Sequence, residues 1–309
     1  MTWNDFVKAH PNGNVFQTEE MAKVYKAAKG YKPIQASVKG EDGELAGVLL
    51  AHVVSEKVPL SSRAVIQGGP LAKSREVLAE VLEEYNTNAL YTEVRNMHDV
   101  AKEKSVFELE GYEFEEHLNY VLPLKKKTDE IFDSMHKNKR WGVRKAGKEG
   151  VEVRKASGLN EWYSLLQKTY SRAKLPLADK SLFDAVAKIM PRNSRFTIAY
   201  RGETPLAAMA CIYWNGVAYD WYMGIDREHS ELCGGDLLVW EMIEWAAKSG
   251  LKSFDFMGGG KPGEEYGVRK FKKQFGGEET NYGRFRKMHK PRLYKAALKG
   301  FEVYRRVAL

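Results

Sequence analysis

The chain has 309 residues, 49 Lys and Arg against 41 Asp and Glu for a net charge of +8, and 43% hydrophobic residues. That composition excludes a disordered or low-complexity chain, and the length suffices for about two domains. Two cysteines, Cys211 and Cys233, are too few for a disulfide framework or a cysteine zinc site.

From the start, the sequence predicts a helix over Thr18–Ala28, capped by Thr18 and stopped by Gly30, then a strand at Ile34–Val38. A turn, KGEDGE at 39–44, leads to a strand at Leu45–Val54; past Gly68-Gly69-Pro70 come an amphipathic helix, Arg75–Tyr85, and a strand, Ala89–Val94. The same order returns in the second half. Strand Phe196–Tyr200, turn RGET at 201–204, strand Pro205–Trp214, the pair Gly234-Gly235, helix Leu237–Lys248 and strand Lys252–Met257 follow one another. Turn and glycine pair recur at nearly constant offsets, which points to an internal duplication.

Between the two units a helix is expected over 129–149, capped by Thr128 and ended by Gly150. Lys137, Arg140, Arg144 and Lys148 fall on one face of it as a cationic stripe. Two further amphipathic helices, 159–172 and 180–189, are expected, and after Pro291 a last helix, Arg292–Val307, with an apolar stripe suited to docking on a domain. The charge is local: residues 125–155 carry +6 and 268–309 carry +10, leaving −8 for the rest. Concentration of this kind suits a polyanionic partner.

The start reads as neither a secretory nor a transit segment and no long apolar run exists, so a cytoplasmic protein is expected. The seven histidines form no ligand spacing, and a metal is not expected. MGGGKPGEEYG at 257–267 lacks the ending of a P-loop and the spacing of a dinucleotide fingerprint, and reads as a flexible substrate-facing loop. Neither a nucleophile elbow nor a Cys–His pair supports a covalent acyl-enzyme. The densest basic stretch, RKFKKQFGG at 269–277, interleaves Phe271 and Phe275 with lysines, which suits a site for an anionic, base-containing ligand, and it equally fits a half-buried strand that aims Lys270 and Lys272 together.

VFQTEEMAKVYKAAKGYKP near the start, GYEFEEHLNYVLPL at 111–124, KNKRWGVRKAGKEGVEV at 137–153, FDFMGG at 254–259 and RKFKKQFGG, in that order, resemble the FemABX peptidyltransferases. Those enzymes use aminoacyl-tRNA to add amino acids to a side-chain amine of a peptidoglycan-precursor stem peptide. The resemblance implies an α/β fold of two tandem GNAT-like acyltransferase domains, each a mixed, mainly antiparallel sheet flanked by helices. Residues 1–127 would form the first and 128–284 the second, with a C-terminal helix, 285–309, packing on the first. No heptad run exists, so no coiled-coil arm is expected.

The resemblance also implies roles. Phe271-Lys272 match the Phe-Lys pair near the transfer site, where the lysine stabilises developing charge, and Lys23 matches a lysine that contacts the precursor's diphosphate. Where some relatives read Arg-x-Asp, with the Asp placed on the acceptor, this chain reads Glu93-Val94-Arg95, and no counterpart of a phosphate-binding arginine occurs among residues 173–185. Glu93, Arg95 and Lys270 are the expected substrate-binding residues beside Lys23, and Asp255 and Glu93 the candidate bases. Arg140, Arg144, Lys145, Arg284 and Arg286 are the expected tRNA contacts.

Aminolysis of the aminoacyl ester requires no metal, cofactor or covalent intermediate, with aminoacyl-tRNA as co-substrate. The expected partners are aminoacyl-tRNA and a nucleotide- or lipid-linked peptide precursor, with peripheral membrane contact open and the chain a monomer. Two rivals stand beside this reading. An acyl-CoA-dependent N-acyltransferase would need a pyrophosphate loop, and Glu231-Leu232-Cys233-Gly234-Gly235 and Ile66-Gln67-Gly68-Gly69-Pro70 are degenerate versions of one. A non-catalytic tRNA- or nucleic-acid-binding module is the other.

Overall fold

A computed structural model describes residues 1–55, 62–264 and 267–296. In chain order the elements are α1 (Trp3–Ala9), α2 (Glu19–Ala27), β1 (Tyr31–Lys39), β2 (Leu45–Ser55), β3 (Ser62–Gln67), β4 (Leu71–Ala72), α3 (Arg75–Glu84), β5 (Tyr91–Arg95), α4 (Lys104–Leu109) and β6 (Glu113–Glu115). There follow β7 (Leu118–Pro123), α5 (Thr128–Ser134), α6 (Lys137–Lys148), β8 (Val151–Lys155), α7 (Leu159–Arg172), α8 (Lys180–Ile189), β9 (Ser194–Arg201), β10 (Thr204–Trp214) and β11 (Val217–Ile225). The chain closes with α9 (Gly234–Lys248), β12 (Ser253–Gly260), α10 (Gly267–Lys273), β13 (Glu278–Thr280) and β14 (Arg284–Met288).

Two compact units result, one from Met1–Glu116 with the chain from Tyr282 onward, the other from His117–Asn281. The first is a sheet ordered β1-β2-β3-β5-β14-β6, with β4 on β2. Helix α2 is set by local signals: Thr18 accepts from Met21 N at its N-cap, Glu19 and Glu20 complement the dipole, and Met21, Val24 and Tyr25 present one buried face. Ser74 caps α3 in the same way, and Leu78, Val81 and Leu82 bury its inner stripe.

The second unit is a sheet ordered β13-β7-β12-β11-β10-β9-β8. Its centre is β10, buried without interruption from Leu206 to Ile212, covered by α9 with Leu238, Met242, Ile243 and Ala246. Both sheets share one plan. Three antiparallel strands lead through a helix to a strand parallel to the third, β5 on β3 and β12 on β11, and an antiparallel neighbour follows, β14 in one unit and β7 in the other.

The expected α/β class and duplicated order therefore stand, with differences. The boundary expected at residue 127 falls at Glu116/His117, because β7 pairs with β12 and not with the first sheet. Residues 284–288, expected at the edge of a C-terminal helix over 285–309, form β14, whose Phe285 is fully buried. Helix follows at 291–296, and the rest of the predicted Arg292–Val307 helix lies outside the described residues. The single helix expected over 129–149 is two, broken at Met135 and His136. Met135 is buried and extended, and His136 accepts from Asn138 N as the N-cap of α6, so tertiary anchoring overrides continuous helix propensity.

Candidate functional site

In the second unit, β12 pairs with β11 only over Val217↔Ser253 to Tyr219↔Asp255, whereas β11 continues along β10 to Ile225. On its other side the register with β7 shifts between Asp255 and Gly258. This bulge leaves Phe256 and Met257 out of the ladder and puts Met257 at φ +56°, a left-handed conformation that costs a non-glycine residue on the order of 1–3 kcal/mol.

Asp255 begins the bulge. Its Oδ1 accepts from Asn119 Nδ2 at 2.9 Å and from Met257 N at 2.6 Å, and the side chain is buried. Burial raises its pKa to about 6 against those two bonds and the charge of Lys272, and the neighbouring carboxylate of Asp220 adds to the rise. Asp220 is itself buried and raised for the same reason.

Lys272 enters from α10. Its ammonium donates to the carbonyl oxygens of Phe256 and Gly258, the latter at 3.2 Å. Burial lowers its pKa, and Asp220 and Asp255 oppose that. One turn back, Arg269 donates through Nε to Gly259 O at 2.8 Å and through Nη2 to Lys261 O. Two cations at i and i+3 thus hold four carbonyls, those of Phe256, Gly258, Gly259 and Lys261, the last three in the glycine-rich run. Residues 257–260 of the run expected as a loop are the end of β12, a turn follows at 261–264, and residues 265–266 lie outside the described residues.

The stretch expected as a strand is a helix followed by a turn, so Lys270 and Lys272 do not point together: Lys270 is exposed and Lys272 turns to β12. Phe271 packs on the core, edge-on to Phe275 at 5.1 Å, with Lys139 Nζ 4.0 Å above its ring. Lys139 also pairs with Asp236 at 2.6 Å, in the first turn of α9. A methyl group at Gly142 of α6 would strike that Asp236 carboxylate, so α6 lies against it.

In the first unit Glu93 is buried and accepts from Arg95 Nε at 2.6 Å, Arg284 Nη1 at 3.3 Å and Arg286 Nη2 at 3.4 Å. Burial alone would raise its pKa, but the guanidiniums outweigh burial and hold it at about 2. A carboxylate so stabilised is a poor proton acceptor, which corrects its expectation as a base. Arg284 and Arg286, expected as tRNA contacts on an open basic tail, are half-buried strand residues paired with Glu93. Lys23 is exposed on α2. Of the cationic helix face, Arg144 and Lys148 are exposed and Lys145 lies 5.1 Å from the exposed Trp141 ring, whereas Arg140 caps α5 through the carbonyls of Asp133 and Met135.

Glu93 and Asp255 are each the third residue of the last parallel strand of their unit, so a buried acid stands at the same step of both repeats. The arginines keep one ionised, and burial pushes the other toward neutrality. Asn119, Asp220, Arg269 and the Lys139–Asp236 pair were missed in the sequence. Polar residues inside the apolar runs LNYVL and AYDWY were the available signal, since a polar side chain in a buried strand needs a partner.

A family model described as an acetyltransferase (GNAT) domain matches residues 133–273. The Lipid II:glycine glycyltransferase of Staphylococcus haemolyticus (strain JCSC1435) is 26% identical over 208 residues, which cover 59% of this chain and 48% of the relative. The crystal structure of FemX superposes with a TM-score of 0.73 at 17% identity, over 95% of this chain and 97% of that one. The fold is that of FemX. A tandem GNAT protein from the clavulanic acid biosynthesis pathway superposes at 0.59 and 11% identity, covering 93% of each chain, so the chain has a tandem GNAT fold. It spans about half the length of the curated relative it matches. Among the described residues, no helix is long and apolar enough to cross a membrane.

Proposed function

We propose that the chain is an aminoacyltransferase that moves an aminoacyl group from aminoacyl-tRNA to an amine of a peptide precursor of the cell wall. The resemblance to a Lipid II:glycine glycyltransferase and to FemX supports the reaction class, and the observation that carries it is the placing of Lys272 and Asp255 within reach of each other's charge, where β11 and β12 part. In the reaction, the acceptor nitrogen bonds to the ester carbonyl carbon, the carbonyl oxygen gathers negative charge, and the C–O bond to the ribose breaks. The neutral amine gives one proton to Asp255, which passes it to the departing ribose oxygen, so that the ribose leaves as a hydroxyl and Asp255 is ionised again. Lys272 supplies positive charge to the oxyanion, a role worth on the order of 2.7–4 kcal/mol for a single donor. Asp255, raised to about 6, is ionised at neutral pH and basic enough to take the proton.

The choice of charged tRNA over acyl-CoA as donor is supported by α9. In an acyl-CoA enzyme of this fold the free N–H groups opening this helix would cradle pyrophosphate. Here Asp236 sits in that first turn, paired with Lys139, and its carboxylate opposes a second anion. Presented with charged tRNA and with acetyl-CoA in parallel, the protein is expected to consume charged tRNA in an amine-dependent manner and to leave acetyl-CoA untouched. Acetyl transfer without aminoacyl transfer would reverse the assignment, and binding of tRNA without turnover would leave a binding module.

A further inference from the structure

We propose that the arginine cluster on the first sheet is an oxyanion-binding site, taking a phosphate or carboxylate group. Alternation along β5 puts Tyr91, Glu93 and Arg95 on one face, and along β14 it puts Arg284 and Arg286 there, while Val94 and Phe285 turn into the core. The register sets Arg284 directly opposite Arg95 and Arg286 opposite Glu93. Like charges facing each other across strands repel. One carboxylate, Glu93, holds three guanidiniums, and Arg286 also reaches Glu115, at 3.5 Å. A fourth arginine, Arg63, stands opposite Tyr91 on the neighbouring strand and hydrogen-bonds its hydroxyl.

Arg95, Arg284 and Arg286 thus crowd the one buried carboxylate of Glu93, with Arg95 and Arg284 facing each other across the strands. Burial and the nearby Arg95 lower the pKa of Arg284 to about 10, and Arg286 Nε is buried without a hydrogen-bond acceptor among the described residues. Planar guanidinium forks with Arg95, Arg284 and Arg286 between 24% and 35% exposed remain open to a ligand from solution, and their geometry matches a phosphate or carboxylate. The proposal stands apart from the transfer reaction assigned to the second unit and holds whatever that unit does.

Its test titrates the full chain with inorganic phosphate and, separately, with acetate by calorimetry. Binding of either anion at one site is expected, and which of them binds identifies the group the site takes. Arg284→Gln and Arg95→Gln should weaken that binding at least about tenfold; if either fails to fold, Arg284→Lys, which keeps the charge and loses the fork, should still weaken it severalfold. Glu93→Gln carries the opposite sign. With its internal counter-ion gone, the cluster should bind the anion about tenfold more tightly, and the anion should restore the thermal stability that the substitution removes. Absence of binding by both anions, or binding that none of these substitutions alters, overturns the proposal.

Discussion

Two acids at one position of a duplicated strand show what surroundings do to a carboxyl group. Glu93 is held at about 2, below its ordinary 4.5, so its stabilising contribution is complete above pH 4.5 and is lost as pH falls from there toward 2. Asp255 is raised from 3.8 to about 6, so it begins to cost stability as pH rises past 3.8, and the cost is complete above 6. Opposite outcomes follow for isosteric substitutions in phosphate-free buffer near pH 8. Glu93→Gln should destabilise the protein by about 3 kcal/mol, the size expected when one partner of a buried pair is removed. Asp255→Asn keeps an Oδ1 to accept from Asn119 and Met257 and should leave the melting temperature unchanged or raise it. The same Asp255→Asn should lower transfer on the order of 10²-fold. The wild-type rate should climb with pH through about 6, as Asp255 ionises, and a limb at that pH should be missing in the variant. Melting curves and a pH–rate profile check both halves.

At the scale of the element, α10 decides the site, and it is where the sequence misled. Phe271, Lys273 and Phe275 alternate as in a strand, yet Phe271 and Phe275 are also four apart, the spacing of one helix face. Both periods fit so short a run, and the choice was made by contacts remote in sequence, the carbonyls of β12 that Arg269 and Lys272 hold. Seven residues are too few for a helix to persist in water unaided. Arg269→Ala should therefore raise amide exchange in α10 and in the glycine-rich run on the order of tenfold, about 1.4 kcal/mol of local opening, with exchange in β10 unchanged. Uniform exchange rates across the second unit would contradict that division. By contrast, α7 and α8 were legible to the residue, because their apolar period is unbroken and their burial follows it. The break at Met135 was not legible, since nothing in the local pattern says that this methionine is anchored in the core.

Across the molecule, the net charge of +8 is concentrated on two stretches whose surroundings differ. The duplication was readable from recurring turn and glycine signals, but the strands that complete each sheet were not. β7 and β14 lie outside the repeated order, and only pairing across long sequence separations assigns them. Of the two basic stretches, the one around β14 is half-buried and paired, while α6 keeps Lys137, Arg144 and Lys148 exposed beside Trp141. Reversing these three charges to Glu should weaken tRNA binding and flatten the slope of log affinity against log salt, by about 0.7–0.9 for each phosphate no longer neutralised. Substituting Arg284 and Arg286 should leave that slope as it is. Filter binding over a salt series measures both.

In the proposed reaction Lys272 and Asp255 make the second unit an aminoacyl ester aminolysis site. The most direct measurement is the single-turnover rate of aminoacyl transfer from charged tRNA to an amine acceptor, for the wild type and for Lys272→Ala with tRNA binding shown intact. The account predicts transfer by the wild type and a loss on the order of 10²–10³-fold in the variant. Transfer by Lys272→Ala at near the wild-type rate would contradict it.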